Sequence, residues 1–254
     1  MEQKAMDMKG KSVLVTGGAS GIGRAIVLAF AARGANVALT YITSDPAETL
    51  AGAKAFGGKH LALRADLRKE AEVESVFERT IGEQGDLDIL VANTGGLIQR
   101  CRTVDMTLAL WEEVMAVNLT STFLCCRAAL KHMEPRKKGN LILISSLAGH
   151  NGGGPSATHY GASKGAMITY TRGLAKEVGP LGIRVNGIAP GLIATRFHDN
   201  FNTPEGRSGA VAMTPLRREG TAEDVAGAAL FLASDQASFL AGETIEVNGG
   251  LGLY

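Results

Sequence analysis

Two residues able to move a proton stand four positions apart in the run THYGASKGAM, residues 158–167: Tyr160 and Lys164. In a helix, positions i and i+4 share a face, with Cβ atoms about 5–6 Å apart. The spacing therefore sets a phenol, ordinary pKa about 10, beside an ammonium at about 10.4. Two unit charges about 5 Å apart at an effective dielectric of about 20 interact by roughly 3 kcal/mol. That is worth about 2 pKa units in favour of the phenolate. On this reading Lys164 draws Tyr160 toward the range in which a proton donor works near neutral pH. The spacing alone leaves an ordinary solvated pair open.

A second group of residues bears on phosphate chemistry. LVTGGASGIGRA places Thr16, Gly17, Gly21 and Gly23 where an apolar strand meets a helix. Glycines there allow a tight turn and a close approach of backbone to a pyrophosphate, while the helix N-terminus offers free N–H groups. Gly17, Ser20, Gly21, Ile22 and Gly23 are the expected contacts. The spacing is TGxxxGxG rather than GxGxxG, and the lysine of a nucleoside-triphosphate loop is missing. A carboxylate for the ribose 2′-hydroxyl of NAD would be counted at the end of the next strand, ALTYITSD, where Tyr41 stands instead. With Tyr41, Thr43 and Ser44 there, NADP(H) is the preferred cofactor and NAD(H) a possible one. Arg24 and Arg64 are the cations able to approach from neighbouring elements.

Stepping along the chain, strands are expected in SVLVTGG, NVALTY, HLALRADL, LDILVAN, GNLILISS, IRVNGIAPG and ETIEVNGG, with helical segments between them. These include a long helix within 107–134 and another over 158–179. Apolar strands alternating with helices predict an α/β Rossmann fold: one domain over 1–254, a doubly wound seven-stranded parallel sheet with helices on both faces. A polar lead covers 1–10, and an irregular stretch over 191–220 is expected to cover the substrate. Such long loops usually carry function.

The composition closes off other classes. A net charge of +1 gives no electrostatic reason to expect nucleic acid or an anionic membrane as partner. No stretch approaches the ~18 apolar residues that span a bilayer, and the start MEQKAMDMKGK has no apolar signal core. Cys101, Cys125 and Cys126 lack disulfide or zinc spacing, which points to a reducing, cytoplasmic setting. No metal cluster is expected. His60, His132 and His198 read as structural or solvated; His159 reads as pointing away from the Tyr–Lys face.

Taken together, the glycine loop, YxxxK and the order of elements resemble the short-chain dehydrogenase/reductase family from about Lys11 to the C-terminus. Further matching runs are ADL (Asp66, Leu67), VNLTSTF (Asn118), ISSLAG (Ser146), APGLIAT (Pro190, Gly191, Ile193, Thr195) and ASFLAGETIEVNGG. The chain is most similar to the 3-oxoacyl-acyl-carrier-protein reductases. The resemblance implies a catalytic tetrad of Asn118, Ser146, Tyr160 and Lys164. Tyr160 would donate the proton, Ser146 would hold the substrate oxygen, and Lys164 would grip the nicotinamide ribose. Asn118 would hold a water that resupplies the proton. Asp66 and Leu67 would lie near the adenine, Asn93 and Gly95 along the cofactor, Ile188 on a strand leading to the nicotinamide, and Thr195 at its carboxamide. ANTGG departs from the family's NNAG, with Ala92 and Thr94 replacing an Asn and an Ala.

One extra residue separates Ser146 from Tyr160, in HNGGGPSATH, so His150 becomes a candidate lining residue. Phe197, Phe201 and Met213 are the apolar candidates of the covering stretch. A substrate carried on coenzyme A or an acyl carrier protein would meet Arg127, Lys131 and the run PRKKG. However, Leu181 occupies a place where carrier-using members often have Arg. The expected activity is NADP(H)-dependent reduction of a 3-oxoacyl thioester or similar ketone. A sugar, polyol or cyclic-alcohol dehydrogenase and a non-enzymatic dinucleotide sensor are the alternatives. Small and apolar residues on more than one face of the long helices, with the resemblance, predict a homotetramer.

Overall fold

Seven short apolar strands, each followed by a connection that carries the chain back along a sheet face, can pair only in parallel. In the computed structural model they are β1 Ser12–Val15, β2 Asn36–Tyr41, β3 His60–Arg64, β4 Ile89–Ala92, β5 Gly139–Ile144, β6 Ile183–Pro190 and β7 Thr244–Val247. The helices are α1 Gly21–Ala32, α2 Ala47–Lys54, α3 Glu70–Gln84, α4 Leu108–Met115, α5 Ser121–Met133, α6 Ala148–Asn151, α7 Thr158–Val178, α8 Arg196–Phe201, α9 Pro204–Met213 and α10 Ala222–Ala233. The structure describes residues 6–254 apart from the side chains of residues 198–200, so the start of the polar lead and the His198 side chain lie outside the described residues. Strand order is β3-β2-β1-β4-β5-β6-β7, with every pair parallel. The order reverses between β1 and β4, and the carboxyl ends of strands at such a reversal form a crevice.

The two-residue period of each strand splits its side chains between two cores. Val13 and Val15 of β1 pack with Ile26, Val27 and Phe30 of α1 and with α10. Leu14, between them, points into the other core with Leu90, Leu141, Met133 and the helices α3, α5 and α7. Cys125 and Cys126 lie in that second core, where burial pushes the Cys125 thiol up to about 12. Histidines 60 and 132 are structural: His60 Nδ1 accepts from Val37 N and Nε2 donates to Gly57 O, and His132 Nε2 meets Asp86 at 2.7 Å.

Four local features depart from the sequence reading. Met8, inside the expected polar lead, is 2% exposed and belongs to the first core. The stretch 191–220 contains two helices, α8 and α9, the second capped by Thr203 Oγ1 accepting from Gly206 N. The insertion after Ser146 contains α6. The long helix over 107–134 is interrupted by a π-turn at Ala116–Thr120. There Ser121 and Thr122 hydroxyls bond back to the Val117 and Asn118 carbonyls, the side-chain competition that disturbs regular helix.

The small residues around Tyr160 and Lys164 have a use the sequence did not disclose. A Cβ on Gly161 would stand 2.5 Å from Gly152 O, and one on Gly149 would stand 2.8 Å from the Lys164 carbonyl. So α6 and the Gly152 that follows it lie backbone-to-backbone on α7. Gly161→Ala is therefore expected to destabilise the fold by about 1–3 kcal/mol in urea unfolding, because the obstruction is backbone on both sides. Gly173→Ala, on the exposed side of the same helix with open space around it, is expected to stabilise by about 0.5–1 kcal/mol.

Candidate active site

The reversal between β1 and β4 opens a cleft of about 440 Å³. One half is built by the β1–α1 turn. Gly17 N donates to Thr40 Oγ1, and the amides of Asn93 and Thr94 both donate to Thr16 Oγ1 at 2.9 Å. Asn93 Nδ2 adds bonds to the carbonyls of Thr16 and Gly17. Hence Asn93, expected to act near the cofactor, also braces the turn through its side chain. Gly23 leaves no room for more: a Cβ would stand 2.1 Å from Gly17 O. The α1 N-terminus carries no side-chain cap and no acid in its first turn. Uncapped N–H groups beside a glycine turn fit a pyrophosphate, so the donor set suits a dinucleotide.

Gly17, Ser20, Gly21, Ile22 and Gly23 line this half, followed by Tyr41 and Thr43 at the end of β2 and Leu67 after β3. Asn93 and Gly95 line the floor, and Pro190, Gly191, Ile193, Thr195 and Phe197 the far wall. Thr40, Ile42, Ala65, Thr94, Ile144, Ser145 and Arg196 join them, although nothing in their residue types signalled it. They follow from strand ends converging, which is a property of the register. Ile188 is fully buried on β6, below the cleft.

Three expected lining residues stand elsewhere. Ser44 lies beyond the mouth, outside the lining. Asp66 is also outside it, its carboxylate taken by a two-pronged bond from Arg68 at 2.8 Å on each prong, which holds it below the ordinary carboxylate range. His150 does not enter the cleft; its Nε2 is 2.8 Å from Glu246 Oε1 and its ring stacks on Tyr254. Proximity in sequence to Ser146 misleads here, because Glu246 and Tyr254 hold the His150 ring elsewhere. Of the expected cations, Arg24 makes a bidentate pair with Glu48, and Arg64 Nε donates to Ile42 O.

At the base of the cleft, β5 and α7 bring Ser146, Tyr160 and Lys164 together. Ser146 Oγ accepts from Ala148 N, which fixes its hydroxyl at the start of α6. It also shares a hydrogen bond with the Tyr160 phenol. Ser145 Oγ donates to Lys164 O, tying the strand end to the helix. Lys164 is 3% exposed, with Nζ donating to Ile144 O at 2.8 Å and lying 5.9 Å from the Tyr160 ring centroid. Asn118, fully buried in the π-turn, holds Gly96 from both sides: Oδ1 accepts from Gly96 N and Nδ2 donates to Gly96 O. A Cβ on Gly95 would meet both Asn118 Oδ1 and Lys164 Nζ, so this glycine lets the two side chains close on one loop.

The electrostatics reverse one expectation. Burial pushes the Tyr160 phenol above its ordinary value, and the bond with Ser146 holds it back only in part. Lys164 does not acidify it here, because the ammonium is aimed at a strand carbonyl and is itself pushed down to about 7 by burial. A lysine whose folded pKa is depressed costs stability in full below that pKa, and the cost fades as pH rises toward the unfolded value of about 10.4. Lys164→Met should therefore raise unfolding stability by about 1–4 kcal/mol at pH 6, with the gain shrinking by pH 9. Thermal melts across that range check it, and a gain independent of pH would contradict it.

Comparison with known proteins extends this geometry. A family model described as enoyl-(acyl carrier protein) reductase matches residues 17–252. The 3-oxoacyl-[acyl-carrier-protein] reductase FabG of Escherichia coli K12 is 38% identical over 250 residues, 97% of this chain and 99% of that one. Glucose 1-dehydrogenase 2 of Bacillus subtilis is also 38% identical, over 252 residues covering 98% and 97%. A solved 7α-hydroxysteroid dehydrogenase, complexed with NADH and 7-oxoglycochenodeoxycholic acid, superposes with a TM-score of 0.93 at 34% identity, covering 98% of this chain and 97% of that one. The cleft, the sheet order and these full-length similarities agree: the chain belongs to the short-chain dehydrogenase/reductase family of NAD(P)-dependent oxidoreductases.

Proposed function

We propose that this protein reduces a ketone, a 3-oxoacyl thioester or a similar apolar carbonyl compound, to a secondary alcohol with NADP(H) in preference to NAD(H). The observation that carries the reading is the meeting of Ser146, Tyr160 and Lys164 at the base of a cleft whose other half is a dinucleotide cradle. The nicotinamide, when bound, supplies the hydride. Ser146 Oγ holds the substrate oxygen, where negative charge grows. Tyr160 stands protonated at neutral pH, as its raised pKa requires, and gives its proton to that oxygen. Lys164, near neutrality in its own pKa, can take up or release a proton and bond ribose hydroxyls. Asn118 acts by fixing Gly96 and the loop beside Lys164, since its side chain is committed there.

Cofactor preference follows from the mouth. No carboxylate lines the cleft at the end of β2, and Thr43 there can donate to a 2′-phosphate. The Arg24 guanidinium, on α1, is held by Glu48.

On the substrate side Phe197 lines the cleft, with Phe201 packed behind it outside the lining. Phe197 lies 5.8 Å from the Tyr160 ring and Phe201 5.0 Å from Phe197, which suits an acyl chain or a ring. Met213 is 70% exposed on α9 and outside the lining. Four of the cations expected to greet a carrier protein are engaged: Arg127 with Glu70, Lys131 with Glu74, Arg136 with Asp86, and Lys138 with Asp88. This favours a free or coenzyme-A-linked substrate over one on an acyl carrier protein. The aromatic wall equally suits a cyclic alcohol oxidised in the reverse direction, which is the second reading. We further propose a homotetramer, in which the exposed Leu108, Trp111 and Phe123 of α4 and α5 become covered.

Loss of reduced-cofactor absorbance with a short 3-oxoacyl thioester, run with NADPH and NADH in parallel, tests the reading. Turnover is expected to favour NADPH and to fall at least 100-fold in Tyr160→Phe, with the coenzyme A and carrier-protein thioesters separating the carrier question. No Tyr160-dependent consumption with either cofactor would sink the substrate class and turn the search to ring alcohols.

A further inference from the structure

The aromatic wall beside Tyr160 must be held in place by something, and one side chain at the α8–α9 junction comes from a distant part of the chain. Arg100, on the loop between β4 and α4, donates from Nε to Phe201 O at 2.9 Å. Its Nη1 donates to Pro155 O at 2.6 Å and its Nη2 to Asn202 Oδ1 at 2.9 Å. One planar fork thus joins three segments: the β4–α4 loop, the insertion after Ser146, and the turn between α8 and α9. None of the three acceptors is a carboxylate, so direction rather than charge neutralisation selects them. A lysine, with a single nitrogen, does not match this spread of acceptors.

The loop that carries Arg100 is itself pinned. His159 Nε2 donates to Gln99 O at 3.0 Å, and the Cys101 amide donates to Ser156 O at 2.9 Å. The hydroxyls of Thr103 and Thr158 meet at 3.2 Å. Two residues on the facing segments pay in backbone strain: Ile98 at φ +67, spanned by a Gln99 N to Leu97 O bond, and Ser156 at φ +58. A β-branched residue in that region is a genuine outlier. Such strain persists only where surrounding bonds over-determine it, and it concentrates at ligand clamps. The bonds that over-determine it here are those of Gln99, Arg100 and Cys101.

We propose that Arg100 is a positioning residue for the substrate side of the cleft, setting how closely the Phe197–Phe201 pair stands to Tyr160. The cofactor side, built from the ends of β1, β2 and β4, shares none of these three bonds. This inference rests on Tyr160 being the proton donor of the proposed reaction.

The test compares Arg100→Met, which keeps much of the aliphatic stem, with Arg100→Lys. Hydrogen exchange of the cofactor-free, substrate-free protein is expected to quicken in peptides covering 204–213 and 152–156 in both variants. In turnover, KM for the carbonyl substrate should rise about tenfold, with kcat within about threefold and NAD(P)H affinity within about twofold. Unchanged exchange in those peptides, or an unchanged KM, overturns the proposal. So does a joint fall of kcat, cofactor affinity and melting temperature, which would mark a general structural role. The exchange arm uses no substrate, so it decides the clasp even if the proposed substrate class fails.

Discussion

Lys164 brings an ammonium to a position only 3% exposed, and much of the surrounding structure is arranged to hold it there. Desolvation disfavours the charge, and one strand carbonyl, Ile144 O, answers it at 2.8 Å. That carbonyl lies at the end of β5, whose next two residues are Ser145, bonded to the Lys164 backbone, and Ser146, bonded to Tyr160. The charge, the strand end and the two hydroxyls are consequently one unit. The packing of α7 against β5 is the constraint from which the site follows.

Glycine supplies that packing. Gly149 and Gly152 of the α6 region meet Lys164, Gly165 and Gly161 backbone-to-backbone. Gly95 lets the β4–α4 loop lie against Lys164 and Asn118 from the other side. The π-turn places Asn118 so that its amide grips Gly96. A buried lysine with a pKa near 7 and a tyrosine kept protonated are together suited to passing a proton toward a substrate oxygen and replacing it. Burial, which costs stability, creates this pairing.

Electrostatics on the outer faces follow a different logic. Matched acids and bases run along α3 and α5 and on into the segments that follow them, from Arg127–Glu70 and Lys131–Glu74 on the helices to Arg136–Asp86 and Lys138–Asp88 beyond their ends. Exposed pairs of this kind contribute little to stability, but they neutralise the patch that a string of cations in the sequence suggests.

From the sequence alone, strand and helix order, the glycine turn and the Tyr160–Lys164 spacing were legible, because each depends on residues close together in the chain. Periodicity reports burial, glycine reports turns, and i,i+4 reports a helix face. What the sequence could not determine were relations across the fold. That Glu246 would claim His150, Glu48 claim Arg24, and acids on α3 claim Arg127 and Lys131 depends on partners from 24 to 96 positions away, with geometry that no local pattern encodes. The direction of the Tyr160 shift differs from the local expectation for the same reason. Two charges at i,i+4 predict mutual attraction, but only tertiary burial decides that desolvation outweighs it and that the ammonium turns to a strand carbonyl instead.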